Sequence, residues 1–68
     1  MITVKADNVV YKLYTRRARH GEIRVKSPYW DVIYIRTTDG WRSKDGKWIP
    51  MIGLELELEA TYQLHVKV

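Results

Sequence analysis

Cysteine and phenylalanine are both missing from this chain of 68 residues, and only two prolines and four glycines interrupt it. Without thiols, neither a disulfide framework nor a thiolate metal site can brace so small a core, and the usual remaining device is oligomerisation. Without phenylalanine, three tryptophans and five tyrosines must supply the large apolar volumes, so two of the three tryptophans are expected inside. No apolar run approaches the length of a membrane span. The start, Met1-Ile2-Thr3-Val4-Lys5, lacks the basic region and apolar stretch of a secretory leader, so a cytoplasmic location is the expectation.

What is present is the composition of a folded chain, 46% hydrophobic and 29% charged, short enough that residues 1–68 make a single domain. The net charge of +4 is unevenly distributed. Residues 1–51 hold eleven Lys or Arg against five acids, while residues 52–68 hold one Lys against three Glu. A basic region of this kind suits an anionic partner, and it is also an ordinary solubility device.

Short runs of β-branched and aromatic residues alternate with turn chemistry, which predicts an all-β domain of five to seven strands, as a small barrel or a strongly twisted antiparallel sheet of SH3-like or OB-like size. Thr3-Val4-Lys5 alternates, residues 9–14 are rich in Val and Tyr, and Glu22-Ile23-Arg24-Val25-Lys26 alternates until Ser27-Pro28 stops it. Asp-Gly pairs at 39–40 and 45–46 are hairpin cues, because both residues tolerate the positive φ of primed turns. Residues 8–20 also admit a short helix capped by Asp7 or Asn8, but Val9, Val10, Tyr11, Tyr14 and Thr15 favour a strand running into an Arg-rich loop. Val32-Ile33-Tyr34-Ile35 is apolar on both parities, so both of its faces should be covered.

The segment DGWRSKDGKWIP, residues 39–50, resembles the Trp-strand-turn-Trp stretch of bacterial SH3-like domains. The resemblance covers twelve of the 68 residues and implies a small β-barrel.

Residues 54–68 keep an unbroken two-residue period. Leu54, Leu56, Leu58, Ala60, Tyr62, Leu64, Val66 and Val68 form one parity, and Glu55, Glu57, Glu59, Thr61, Gln63, His65 and Lys67 form the other. The period predicts a strand with its apolar parity in the core. Fully extended, the segment would reach about 50 Å, too long for a straight strand inside a monomer about 28 Å across. A twofold antiparallel pairing with a second copy, centred on Thr61, sets Glu55 against Lys67 and Glu57 against His65, so a homodimer through residues 54–68 is one expectation. A strand bent at Ala60, with its glutamates neutralised by Arg24 and Lys26, is the second, and a hairpin with a three-residue loop of Glu59, Ala60 and Thr61, which lacks the glycine such a loop favours, is the third.

Arg16, Arg17, Arg19 and His20 place four potential cations within five residues, and Arg24, Lys26 and Arg42 follow. Such density suits phosphate contacts, and Tyr14, Tyr29, Trp30, Trp41 and Trp48 are candidate stacking rings, with Trp41 or Tyr14 as the platforms expected at the binding surface. The expectation is a non-enzymatic module that binds nucleic acid or another polyanion through these residues. The competing expectation is a protein-interaction module, such as a phage or mobile-element accessory or inhibitor protein, acting as a homodimer on an acidic protein surface. His20 and His65 lack the spacing of a catalytic or metal site, so no enzyme activity, metal or cofactor is expected.

Overall fold

A computed structural model describes residues 1–67; Val68, assigned above to the terminal strand, lies outside the described residues. Five strands form one antiparallel sheet in chain order: β1 (Ile2–Ala6), β2 (Val9–Tyr14), β3 (Glu22–Lys26), β4 (Asp31–Thr37) and β5 (Gly40–Ser43). Strands β1 and β5 do not pair, so the sheet is an open meander and the barrel expected above is not closed.

Local chemistry accounts for the strands. The β1–β2 turn is Asp7-Asn8, both at positive φ (54° and 64°), which is the primed two-residue hairpin that matches strand twist. The β4–β5 hairpin forms where Asp39-Gly40 signals it, but its turn is Thr38-Asp39, with Thr37 paired to Gly40 and only Gly40 at positive φ (102°). Asp45-Gly46 makes only a turn, because the chain beyond it returns one backbone bond, Ser43 N to Trp48 O, and then leaves the sheet. Residues 8–20 are strand followed by loop. Their helical content is a single 3-10 turn, Ala18–His20, ended by Gly21 in the left-handed region.

The expected terminal strand is instead a helix, α1 (Ile52–Val66). Two physical reasons decide it. Leucine, glutamate, alanine and glutamine, which dominate residues 54–63, are among the best helix formers, whereas strands favour β-branched and aromatic residues. Fifteen residues at a helical rise span about 22 Å, which fits a molecule measuring 30 × 24 × 18 Å without a hairpin, a bend or a second copy. A two-residue period also contains a four-residue period, so the same sequence satisfies i, i+4 spacing. The helix buries Leu54, Leu58 and Thr61 and turns Leu56 and Leu64 to solvent, so the apolar parity is split and is not uniformly core. The cross-strand pairing of Glu55, Glu57, Glu59, Thr61, Gln63, His65 and Lys67 therefore does not form, nor does the bent strand.

The helix lies on the inner face of the sheet, reaching both edge strands and the 3-10 turn. There Leu54 and Leu58 pack with Tyr11, Leu13, Ala18, Ile23, Val25, Tyr34 and Trp41. Gly53 permits the closest approach: a Cβ there would lie 2.6 Å from an Asp7 carboxylate oxygen. That contact brings Asp7 to the first turn of α1, where the helix dipole favours an anion. The outer face carries no second layer. Ile33 and Ile35, expected to be covered, are half-buried there and lie across from Arg24 and Arg42. The aliphatic stems of those arginines supply the available cover.

Candidate functional site

Strand parity sorts the charges. Alternation places Lys5, Lys12, Arg24, Lys26 and Arg42 on the outer face against two acids, Glu22 and Asp31. The arginines are largely committed. Arg24 donates from Nε to Asp31 Oδ1 at 2.9 Å and from Nη2 to Oδ2, while its guanidinium lies 5.3 Å from the centre of the Tyr14 ring. That bidentate contact holds the Asp31 carboxyl below its ordinary value and raises Arg24. Arg42 donates to the Trp41 carbonyl at 2.7 Å and stands 3.9 Å from Glu55.

The lysines are not committed. Lys12 lies directly across from Lys26, and like charges in register destabilise a sheet unless an anion sits between them. Asp31, across from Lys26 on the other side, has both carboxylate oxygens engaged by Arg24. Lys5, Lys12 and Lys26 make no ion pair among the described residues. Lys12 and Lys26 line a shallow recess of about 310 Å³ with Val10, Ser27 and Pro28.

Of the loop cations, Arg16, Arg17, Arg19 and His20 are all exposed in the β2–β3 connection. Arg17 reaches Glu22 at 3.5 Å, and Arg16 and Arg19 border a recess of about 270 Å³ with Thr15 and His65. Arg16 and Arg19 thus lie beside the C-terminal part of α1, whereas Lys12 and Lys26 lie toward the β3–β4 turn.

Trp41 is removed from the stacking candidates. It is 1% exposed, and its indole N–H donates to Glu59 Oε1 at 3.0 Å. Glu59 also accepts from Arg36 at 2.9 and 3.1 Å and from Gln63 at 2.8 Å, and Arg36 lies over the Tyr62 ring at 4.4 Å. The Arg36 guanidinium, then Gln63, hold the Glu59 carboxyl down from 4.5 to about 2, against a smaller opposing effect of burial.

Because the folded value lies below the unfolded one, the stabilisation is complete above about pH 4.5 and is lost as pH falls toward 2. Both side chains of the Glu59–Arg36 pair are more than a third exposed, so solvent screening limits its worth. Glu59→Gln should therefore cost about 1 kcal/mol near pH 7. Its melting temperature should also fall less steeply than that of the unsubstituted chain between pH 5 and pH 3. Thermal denaturation followed by circular dichroism checks both statements, and parallel melting curves at every pH would refute them. Asp31 and Asp45, also lowered by hydrogen bonds, contribute equally to both proteins.

Three of the candidate rings, Tyr29, Trp30 and Trp48, line a second feature together with Tyr11 and Tyr34, an open cleft of about 460 Å³ on the inner face. Tyr11 packs on Trp30 with centroids 5.7 Å apart, and Trp30 meets the edge of Tyr34 at 6.3 Å. Trp48 stands at the rim and is 61% exposed, and Trp30 is also exposed, so one tryptophan of three is inside where two were expected. Both loops that present these indoles are held by a serine. Ser27 Oγ accepts from the Tyr29 and Trp30 amides at 3.1 Å each, and Ser43 Oγ accepts from the Trp48 amide at 2.9 Å. Tyr11 and Tyr34 are 2% and 3% exposed, and burial pushes both phenols above their ordinary value, keeping them neutral donors.

Among the described residues, no group of three or more His, Cys, Asp or Glu is placed to hold a metal, and no helix is long and apolar enough to cross a membrane. His65 Nδ1 lies 2.8 Å from the Thr61 carbonyl oxygen within the helix. The architecture is an antiparallel five-stranded meander with a C-terminal helix on one face and a cationic second face. Comparison with family models, curated proteins and solved structures found no match for the chain.

Proposed function

We propose that this chain is a non-enzymatic binding module for nucleic acid or a similar polyanion. Its contact surface is the uncovered face of the sheet, with Lys5, Lys12 and Lys26 as phosphate contacts and Arg16 and Arg19 extending the track. The observation that carries the reading is Lys12 across from Lys26 with no ion pair to either among the described residues, the carboxylate nearest in register, Asp31, being held bidentately by Arg24; an external anion relieves this arrangement. Arg24, Arg42 and Tyr14 border the surface and Arg17 and His20 flank it, while Trp41 has no part in it.

Five phosphate contacts to a single strand give a slope of about −3.5 for log affinity against log salt, or roughly a hundredfold loss between about 50 and 200 mM. Fluorescence anisotropy with a labelled oligonucleotide measures this. A flat salt dependence would remove the reading.

A second reading, self-association, has its own observation. Ile52, Leu56, Ala60 and Leu64 follow one another at four-residue spacing along the solvent side of α1, and the three large side chains are all more than 60% exposed. A ridge of this spacing packs against a copy of itself with crossing angles near −50°, the small Ala60 allowing close approach. This retains the expected homodimer through residues 54–68 but replaces paired strands by paired helices, and it leaves the cationic face free for an acidic protein surface. Light scattering should give twice the mass of the chain at high concentration, falling to a single chain for Leu56→Glu; a monomer at all concentrations would exclude it.

A further inference from the structure

We propose that the inner-face cleft receives an unstacked base, making the ligand single-stranded nucleic acid; this rests on the reading given above. Two features of the cleft, whose lining is otherwise mostly apolar, suit a flat aromatic ligand with a polar edge. Tyr11 and Tyr34 line it while almost wholly buried, and neither hydroxyl has a hydrogen-bond partner among the described residues, so each keeps some exposure through which a ligand's polar edge can reach it. The edge of a heterocyclic base carries donors and acceptors that satisfy such groups, which a purely apolar occupant does not.

The second feature is the exposed indole of Trp48 at the rim, with Trp30 and Tyr29 close by. Rings that fall open to solvent in a chain short of core volume are costly to leave there, and every base has a face that stacks on them. The serine-anchored loops hold these rings before any ligand arrives, so little ordering is needed on binding.

Position in the molecule joins the cleft to the phosphate track. Ser27 borders both the cleft and the recess formed by Lys12 and Lys26, so the two lie on either side of one short turn, residues 27–30. A strand with its phosphates on the lysines reaches the cleft by turning one base around Pro28 and Tyr29. A base held in a duplex cannot make that turn without leaving its stack and its partner. The size of the cleft, about 460 Å³, is in the range of small-ligand sites.

The test compares three probes of equal phosphate number by anisotropy at low salt: an oligothymidylate, the same backbone without bases, and a hairpin duplex. The oligothymidylate should bind roughly tenfold or more tightly than the other two and should quench tryptophan fluorescence. Trp48→Ala, at an exposed position, should erase that difference without lowering the melting temperature. Tyr34→Phe, which removes only the hydroxyl, should weaken oligothymidylate binding several-fold and leave the baseless probe unaffected. Equal, salt-sensitive binding of all three probes overturns the cleft assignment and leaves the polyanion reading standing. Failure to bind any probe at low salt overturns both.

Discussion

Leu58→Ala should lower the stability of this chain by about 2–5 kcal/mol, whereas Leu56→Ala, two residues away, should change it by less than about 0.5 kcal/mol. The two leucines share a parity and would be equivalent on a strand. On α1 they point in opposite directions: Leu58 is fully buried against the sheet, and Leu56 is 67% exposed. A domain of this size has only about 3–10 kcal/mol in hand, so Leu58→Ala brings it close to unfolding at ordinary temperature. Urea denaturation followed by tryptophan fluorescence reports the difference, because Trp41 sits in the same core. Equal losses for the two variants would mean that residues 54–66 are not helical.

Reversing both lysines, Lys12→Glu with Lys26→Glu, should weaken binding to a short oligonucleotide by about a hundredfold at low salt and make its salt slope shallower by about 1.4. The effect is large because two contacts are lost and two repulsions added at the centre of the track. Stability should fall slightly, because Lys26→Glu also sets an anion across from Asp31 in place of a cation, so affinity is compared on protein shown by circular dichroism to be folded. The matched control is Lys44→Glu with Lys47→Glu, the same change of charge placed in the β5–α1 connection away from the outer face. If the control loses as much affinity as the Lys12 and Lys26 pair, net charge governs binding and the track has no special role.

The candidate site was partly legible in the residue order. Arg16, Arg17, Arg19 and His20 stand out as a cluster, and the structure leaves all four exposed. Lys12 was overlooked as a contact, although its place between Tyr11 and Leu13 in an alternating run already sends it to the opposite face from the core. In the residue order Arg24 and Arg42 look like free cations, yet their acids, Asp31 and Glu55, come from a neighbouring strand and from the helix. Trp41 looks like a platform in the sequence because aromatic rings in a basic stretch are alike until their burial is known.

Residue order alone marked the strand-rich character of residues 2–43 and the hairpin near Asp39-Gly40, because these depend on neighbours a few positions apart, but it left open whether the strands closed into a barrel and did not mark Asp7-Asn8 as a turn. It also settled that the chain is basic ahead of residue 52 and acidic after it. The state of residues 52–66 was decided only by the assembled tertiary structure. Their pattern serves either period, and the choice between them turned on how much length the sheet could accommodate and which row of leucines met Tyr11, Leu13 and Trp41. The same assembly chose which cations were neutralised and which two lysines were left facing each other, since the distance between charges distant in sequence exists only once the sheet and helix have packed.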